Sequence, residues 1–588
     1  MSNYSTPGVY VEEVDRGPKP IEGVSTSTVG FLGQTERGPT EPRLVTSFAD
    51  FKRTFGGYAQ YKRGGRLEGT YLAYAVDGFF RNGGQQAYVG RVVDEEAVGE
   101  EDYLASAPIQ TESDGTVLNV SAVGPGKWGQ NIAIIVEDAS NYDEESNDLF
   151  RLRVKYWAEE SDIPARDELV SGRGEPNGSN GIDDPEKPEE EGDPDVSTDG
   201  GSTQADAPAE TTEVILNASA DVEEVYDDLS IREESADFYE TQINGTSSLI
   251  EVEFQSEGRP QTVVEAEWED PDNKDKETVE LPKVVLLEEP EKTLKEEEPG
   301  SDIERNEYDG STEKGSKSGL AAFEEIDDIS IVCVPDQARE SLDLAEPVAE
   351  HCGHEDRQDR IGLIQAERGF DVAGDPELPL RSEYAAFYCP WIEIHDPVTG
   401  RPKEVPPGGH VAGIYARSDA EHGVHKAPAN EVVRGAQGLG ITITDAEQSI
   451  LNPGGINCIR SFRGRGIRVW GARTMASDPS WKYVNVRRLF LYLRESIDEG
   501  TQWAVFEPNN EDLWARVRQT ITNFLRDVWE DGALMGSTPE EAFYVKCDRS
   551  TMTQNDIDNG RLICEIGVAP VKPAEFVIFR ISQWTGDE

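Results

Sequence analysis

The sequence predicts a multidomain protein of the α+β or α/β class, in which an acidic β-rich domain interrupts an α/β domain. Three observations support this prediction. Composition changes sharply near residues 94 and 325, apolar strand patterns alternate with helical patterns outside those points, and prolines set apart a strand-like run near each end. The predicted units are an extended N-terminal strand arm (1–20), a split α/β domain (21–93 plus 325–445), an inserted outer domain (94–324), a C-terminal α/β domain (446–566) and an extended C-terminal strand arm (567–588).

The N-terminal arm is predicted from "TPGVYVEEV", residues 6–14. Its valines share the stretch with tyrosine and glutamate in a strand pattern, and Gly17, Pro18 and Pro20 separate it from the chain that follows. A single strand has no sheet of its own. We therefore ask which sheet it pairs with.

Short apolar runs indicate the split α/β domain. Before the insertion, residues 24–34 form a strand pattern and residues 47–57 form a capped helix pattern that ends in two glycines. After the insertion, "ISIVCVPD" (329–336), "RIGLIQAE" (360–367) and "YAAFYCPWIEI" (384–394) are continuous apolar runs. Such runs are typical of strands that are covered on both faces of a parallel sheet.

The insertion at 94–324 contains 64 Asp+Glu against 17 Lys+Arg, which is -47 of the formal net charge of -61. Runs such as "NIAIIVED" (131–138) and "FRLRVKYW" (150–157) predict strands, whereas the low-complexity stretch at about 175–212 predicts a mobile loop. We expect this β-rich domain on the outside of the protein, because its charge favours water over a packed interface.

The C-terminal region contains a long amphipathic helix pattern at 511–530. An apolar stripe runs from Leu513 to Val528, and Asn510 is the expected N-cap. The opposite face carries four polar side chains, which are Arg516, Gln519, Asn523 and Arg526. Beyond Pro570 and Pro573, the run "EFVIFRISQW" is a second short strand pattern, which mirrors the one near the N-terminus.

The net charge excludes some classes of partner. At a pI near 4.3, the surface repels phosphate backbones and anionic membranes, so neither nucleic acid nor a membrane is an expected partner. Two explanations of the charge compete: a calcium-binding extracellular protein, or a protein adapted to very high salt. With 37 Arg, only 18 Lys and no calcium-loop motif, the composition favours a halophile.

The six cysteines are scattered without a C-x-x-C pair, and most lie in apolar strand patterns. We expect buried free thiols, made in a reducing compartment. The N-terminus lacks the pattern of a signal peptide, and no apolar run has the length of a membrane span. Synthesis in the cytoplasm without a signal peptide is therefore expected.

A search for catalytic motifs finds none with the required spacing. "GPGKWGQN" (124–131) lacks the Gly and Ser/Thr positions of a P-loop, and there is no G-x-S-x-G elbow. "HCGH" (351–354) and "HGVH" (422–425) offer histidines without a second ligand motif, and Asp336 is more typical of a turn or a helix cap. We expect no catalytic residues, no metal site and no cofactor.

Several stretches in order resemble the contractile tail sheath proteins of phages and related injection systems. They include the opening "TPGVYVEEV", "NGGQQAYVGRVV" (82–93), "PPGGHVAGIYARSDAEHGVHKAPAN" (406–430), "LNPGGINCIRSFRGRGIRVWGARTM" (451–475) and "GVAPVKPAEFVIFRI" (567–581). The resemblance covers about 1–93 and 325–588, and residues 132–324 match no pattern of the family.

The resemblance implies a structural subunit rather than an enzyme. Sheath subunits stack as hexameric rings around an inner tube, between a baseplate and terminator or cap proteins, and contraction drives the tube through a target envelope. The family's arms add strands to neighbouring subunits, and a helix of its C-terminal domain lines the lumen. The implied donated residues are Gly8, Val9, Tyr10, Val11, Glu12, Val14, Glu575, Phe576, Val577, Ile578, Phe579 and Ile581, and the implied tube-facing residues are Arg516, Gln519, Asn523 and Arg526.

Two other functions compete with this interpretation: a non-contractile acidic surface or adhesin protein of a halophile, and an α/β enzyme that uses the split domain. The first requires a signal peptide and the second a nucleophile or metal set, and the sequence shows neither. The sheath interpretation, with a halophilic archaeon as the expected host, leaves open whether the particle is a virus tail or a cell-encoded injection system.

Overall fold

The computed structural model describes residues 20–63, 66–111, 115–142, 148–164, 214–269, 276–297, 303–312, 317–339, 342–355, 357–374 and 376–580. The predicted strand at 6–14 and the last part of the C-terminal arm, including Ile581, lie outside the described residues. So does the whole of the predicted loop at 175–212.

The first part of the split domain begins with a strand that is buried along its whole length. Its elements are β1 (Val29–Gly33), β2 (Arg43–Val45), α1 (Phe48–Phe55), β3 (Gln60–Arg63), β4 (Arg66–Gly69), α2 (Leu72–Asn82) and β5 (Ala87–Arg91). Helix α1 begins where the sequence predicts it, because the Ser47 hydroxyl accepts a hydrogen bond from the Asp50 amide at 3.1 Å.

The insertion consists mainly of antiparallel strands. Its elements are β6 (Ser106–Gln110), β7 (Thr116–Ala122), β8 (Ile132–Asp138), β9 (Leu149–Tyr156), β10 (Val222–Ser230), α3 (Tyr239–Ile243), β11 (Ile250–Phe254), β12 (Val263–Glu269) and β13 (Lys276–Leu286). One sheet has the order β10–β9–β8–β13–β12 and a second has the order β11–β7–β6. Their apolar faces share a core with α3, in which Phe150 and Tyr239 pack edge to face.

After the insertion the chain returns to the split domain. The elements are α4 (Arg305–Asp309), α5 (Gly319–Ala322), β14 (Ile331–Cys333), α6 (Ala345–Gly353), β15 (Ile361–Gln365), β16 (Ala385–Cys389), β17 (Ile392–His395), β18 (Pro402–Val405), α7 (Gly408–His422), β19 (Glu431–Val432), β20 (Ala436–Leu439), α8 (Asp445–Leu451), β21 (Ile456–Phe462) and β22 (Gly466–Val469).

Both parts of the split domain form one sheet with the order β19–β22–β21–β16–β15–β14–β1–β5–β2. The neighbours from β5 to β21 are parallel, and the outer strands are antiparallel. Helices α2 and α7 cover one face, and α6 covers the other together with Phe323. The prediction of a mixed α/β protein is therefore confirmed, and the burial of both faces explains the continuous apolar runs.

Two domain boundaries differ from the prediction. Strand β21 pairs with β16, with Ile456 opposite Phe387, so the split domain continues past residue 445 to about 475. At the other boundary, Tyr308 and Phe323 are buried in the core of the split domain, so the insertion ends near residue 302 rather than 324. The prediction placed the second boundary too far along the chain because it relied on acidic composition. Residues 303–324 are acidic, but their apolar side chains are buried in the split domain.

The C-terminal domain contains α9 (Val484–Thr501), α10 (Glu511–Glu530), α11 (Pro539–Ala542), β23 (Phe543–Lys546), α12 (Gln554–Asp558) and β24 (Glu565–Val568). Helix α10 has the predicted bounds, and the side chain of Asn510 caps it by accepting from the Leu513 amide at 2.9 Å. Its apolar stripe packs against α9 and the β23–β24 hairpin.

A buried ion pair joins the C-terminal domain to the split domain. Arg488 on α9 donates to both carboxylate oxygens of Asp419 on α7, at 2.9 and 2.6 Å, and also to the Thr26 carbonyl at 2.7 Å. Both side chains are less than one-tenth exposed. This pair connects three segments that are far apart in sequence and fixes the orientation of α9 on the large sheet.

Candidate functional site

The C-terminal segment is the most exposed apolar part of the described chain. Phe576, Val577, Ile578 and Phe579 are 70–84% exposed. The segment belongs to no helix or strand, and its last backbone hydrogen bond within the described residues is the one from the Val571 amide to the Ala533 carbonyl, at 3.1 Å. Burying one such side chain is worth roughly 1.5–3 kcal/mol, so water is a poor environment for four in a row.

Glu575 fixes the point at which this segment leaves the protein. Arg473 donates to its two carboxylate oxygens at 2.8 and 2.6 Å, the Tyr483 hydroxyl donates at 3.3 Å, and the Lys482 ammonium lies at 3.7 Å. Burial opposes ionisation of Glu575, but the charges of Arg473 and Lys482 outweigh it and hold its pKa below 4.5. Glu575, which the resemblance places in the donated strand, is therefore anchored within its own chain.

The β23–β24 hairpin is a two-stranded sheet with Phe543 opposite Val568 and Lys546 opposite Glu565. Within the described ranges, neither strand has a second neighbour, so both outer edges present unpaired backbone groups. Its inner side packs on α10, and Tyr544 and the nearby Met535 are more than half exposed. A hairpin of this kind can accept a strand on either edge.

The described chain begins at the C-terminal domain. Ile21 is buried in that domain's core, and a Cβ on Gly500 would come within 2.5 Å of it, so glycine permits this close approach. Pro20 and Ile21 border the polar face of α10 beside Arg516 and Gln519. Pro20 and Ile21 therefore lie on the C-terminal domain, although they precede the split domain in sequence.

The four polar residues predicted on α10 are all exposed. Arg516 pairs with Glu507 at 2.8 Å and lies over the Trp503 ring, rather than pairing within the helix. The Gln519 amide donates to Asn523 at 2.8 Å. Arg526 is exposed and forms no salt bridge within 4 Å in the described part of the chain, and its charge helps to lower the pKa of the nearby Glu540.

The sequence analysis considered several titratable residues as possible site residues, and the structure shows what surrounds three of them. Burial lowers the pKa of His351 to about 3, with Arg360 beside it, and burial lowers the pKa of His410 to about 4. Asp336 is fully buried and accepts a hydrogen bond from the Tyr308 hydroxyl at 2.7 Å, which attaches the segment after the insertion to the end of β14. Within the described ranges, no three His, Cys, Asp or Glu side chains are grouped to hold a metal ion.

Sequence reasoning missed the arginines that organise this region. Arg473 and Arg488 are buried ion-pair donors, and each interrupts an apolar pattern, in "GARTM" and "VRRLF". An arginine within an apolar run was the available signal, since such a residue is buried only when it is paired. No helix in the described residues has the length and apolar composition of a membrane span.

Two family models match adjacent stretches of the chain. The model of the phage tail sheath protein central domain matches residues 309–475, and the model of the phage tail sheath C-terminal domain matches residues 476–583. The boundary between them coincides with the end of the split domain in the structure.

Two curated relatives match about a third of this chain. A putative prophage major tail sheath protein of Pseudomonas aeruginosa is 28% identical over 204 residues, covering 33% of this chain and 51% of the relative. The tail sheath protein of Vibrio phage KVP40 is 27% identical over 204 residues, covering 34% and 30%. The matches thus span about half or less of these relatives.

Two solved structures share the fold over 99% of both chains. They are the contracted sheath of the extracellular contractile injection system PVC, 18% identical with a TM-score of 0.51, and the contracted helical sheath of the anti-feeding prophage, 20% identical with a TM-score of 0.51. The likeness extends the matched region from the C-terminal half to nearly the whole chain.

The Glu575 anchor predicts a pH-dependent stability. Substitution E575Q should lower the free energy of unfolding by about 1–3 kcal/mol at neutral pH, because Arg473 loses a charged acceptor. Because the folded pKa is lowered, the anchor's contribution is present above the ordinary value of 4.5 and is lost as the pH falls below it. Denaturant unfolding between pH 7 and pH 3 measures the difference from the unsubstituted protein.

A matched control for this experiment is E565Q, which changes an exposed glutamate on β24. It should alter stability by less than about 0.5 kcal/mol at every pH. Equal effects of the two substitutions at pH 7 would show that the ion pair does not anchor the segment.

Proposed function

Since the chain belongs to the contractile tail sheath family, we propose that it is the structural subunit of a contractile sheath. In this proposal, copies polymerise as stacked hexameric rings around an inner tube, on a baseplate and below terminator or cap proteins. Contraction drives the tube through a target envelope. The chain is a structural protein and not an enzyme.

The observation that carries this proposal is the exposed segment after Glu575. Four apolar side chains lie in water immediately beyond the ion-paired Glu575, in a segment that belongs to no helix or strand of its own chain. A second copy supplies what the segment lacks, which is a sheet edge and an apolar surface. We assign the donated strand to Phe576, Val577, Ile578, Phe579 and Ile581, with Glu575 as its fixed start.

The β23–β24 hairpin is the proposed acceptor. Its two open edges offer places for two donated strands, and two-stranded sheets gain stability from added strands. The exposed Tyr544 and Met535 provide apolar surface beside those edges. Main-chain pairing also suits a sheath that changes shape. The hydrogen bonds between subunits persist while the domains rotate about the segment that follows Glu575.

The N-terminal arm is the proposed second donor. The residues assigned to it are Gly8, Val9, Tyr10, Val11, Glu12 and Val14, which lie outside the described residues. The exit of the chain at Pro20, on the surface of the C-terminal domain, supports this assignment. Both arms then start from the domain that carries the acceptor.

The exposed face of α10 is the proposed tube contact, through Arg516, Gln519, Asn523 and Arg526. Two arginines on one helical face of an acidic protein suit an acidic tube surface, and screened, exposed charge pairs are weak enough to release. Arg526 is the stronger candidate, since Glu507 already pairs with Arg516.

The acidic insertion is proposed to lie on the outer wall of a particle adapted to high salt, from a halophilic archaeon. The support is the composition of the chain: 64 Asp+Glu in residues 94–324 and few lysines throughout. The surrounding salt would screen repulsion between neighbouring copies.

Proline substitutions test strand donation. Because successive residues of a strand direct their amides to opposite sides, V577P or I578P should remove a hydrogen bond to the acceptor and prevent sheath assembly. The isolated subunit should keep its stability, since neither amide donates a backbone hydrogen bond to any residue that the structure describes. Electron microscopy of particles, with V577A and I578A as controls, gives the answer. Normal sheaths from both proline variants would refute strand donation.

Charge reversal tests the tube contact. The double substitution R516E/R526E should leave the subunit folded but give contracted or tubeless sheaths, because it replaces attraction by repulsion. The control R549E/R561E changes the same net charge at exposed arginines away from this face and should give extended particles with tube inside. Extended, tube-filled particles from R516E/R526E would show that α10 does not contact the tube.

Dialysis tests the salt adaptation. Extended particles should be stable in molar salt and should contract or dissociate at low salt without divalent cations, because the Debye length grows from about 3 Å at 1 M to about 10 Å at 0.1 M. Negative-stain images at each salt concentration provide the measurement. Particles that stay extended at low salt would contradict the adaptation while leaving the sheath function untouched.

A further inference from the structure

Two cysteines face each other at the loop end of the β23–β24 hairpin, where the connecting loop begins and ends. Lys546 is opposite Glu565, so the next pair in the antiparallel register is Cys547 and Cys564. The loop between them returns to its own base, where the Thr551 hydroxyl donates to the Ile563 carbonyl at 2.8 Å. The fold thus brings together two thiols that the sequence separates by a helix-containing loop.

The surroundings of Cys547 and Cys564 favour oxidation of the two thiols. A hydrogen bond between the thiols is the main cause of the lowered pKa of Cys547 and of the raised pKa of Cys564. Arg518 contributes in the same direction at Cys547, and its guanidinium donates to the Cys547 carbonyl at 3.4 Å. Cys547 is buried and Cys564 is partly exposed, so a small reagent reaches the pair from one side.

We propose that Cys547 and Cys564 form a dithiol–disulfide site that is oxidised by a small disulfide such as glutathione disulfide. One thiolate attacks a sulfur of the reagent, which breaks its S–S bond, releases one glutathione thiolate and leaves a mixed disulfide. The second thiol loses its proton and attacks the protein sulfur of that mixed disulfide, which releases the second glutathione. The two protein thiols are oxidised, and one glutathione disulfide is reduced to two thiols.

A second pair of cysteines provides an internal comparison. Cys389 and Cys458 are directly opposite in the parallel strands β16 and β21, at the centre of the large sheet. Both are fully buried, and the Cys458 thiol and burial raise the pKa of Cys389. In both pairs the two cysteines are close together. Only Cys547 and Cys564, however, have a side that a reagent can reach and a guanidinium beside them.

The disulfide would cross-link the two strands at the loop end of the hairpin and restrict their separation there. This consequence rests on the proposed function, because the hairpin is the proposed strand acceptor. A cross-linked hairpin holds both edges in the register that a donated strand requires, so oxidised subunits should assemble into sheaths that resist dissociation better than reduced ones. The cross-link itself does not depend on that function.

The test uses the full-length subunit, treated with glutathione disulfide under native conditions, then alkylated, digested with trypsin and analysed by mass spectrometry. Trypsin cleaves after Lys546, Arg549 and Arg561, so a disulfide joins two separate peptides. Free thiols should fall from six to four, with one linked peptide pair containing Cys547 and Cys564. The Tm should rise and return to its original value with dithiothreitol.

In the control C564S the reaction should stop at a mixed disulfide between Cys547 and glutathione, with no protein disulfide and no rise in Tm, because the thiol that releases the second glutathione is absent. Six free thiols after treatment, a lasting glutathione adduct on Cys564, or a disulfide between Cys389 and Cys458 instead would overturn the proposed site. A mapped disulfide that leaves sheath dissociation unchanged would overturn only its effect on the acceptor. If neither the reduced nor the oxidised subunit forms a sheath, the proposed function fails and the mapped site stands.

Discussion

The ion pair between Arg473 and Glu575 is the constraint on which the rest of this architecture depends. Arg473 follows β22, and its backbone amide and carbonyl are both bonded to the side chain of Asn457 on β21, at 2.7 Å each. The large parallel sheet therefore fixes the guanidinium, which in turn fixes Glu575. Up to Glu575 the chain is attached to its own domains, and after it four apolar side chains are exposed, so this ion pair marks where the segment leaves the surface of the subunit.

The joints between domains and the segment after Glu575 depend on different kinds of interaction. Buried pairs such as Arg488–Asp419 and Arg473–Glu575 are directional and lose much stability if one partner is removed, so they suit joints that keep their geometry. Strand addition relies on backbone groups and tolerates changes in the direction of the segment that follows its anchor. Rigid domains connected by donated strands can therefore change their mutual arrangement without breaking the chain of contacts between copies.

Sequence patterns predicted the elements that are determined by neighbouring residues or by the same burial on both faces. Helix α10 has its predicted bounds because Asn510 and its apolar stripe act within the helix, and β14, β15 and β16 were recognisable because both faces of the sheet are covered. The role of Glu575 was not predictable, because it depends on Arg473, which is 102 positions away. The pairing of Cys547 with Cys564 was hidden for the same reason, since only the hairpin register brings them together.

The distribution of charge reconciles an acidic chain with the close packing that polymerisation requires. Residues 94–324 carry 64 Asp+Glu against 17 Lys+Arg, whereas residues 476–588 carry 19 against 12, so repulsion is concentrated away from the domain that holds the anchor and the hairpin. At the joint of that domain, buried arginines neutralise the acids they contact. In the proposed assembly, repulsion between copies would act mainly between insertions, where water and salt screen it, and the domain proposed to exchange strands carries a much smaller excess of acidic residues.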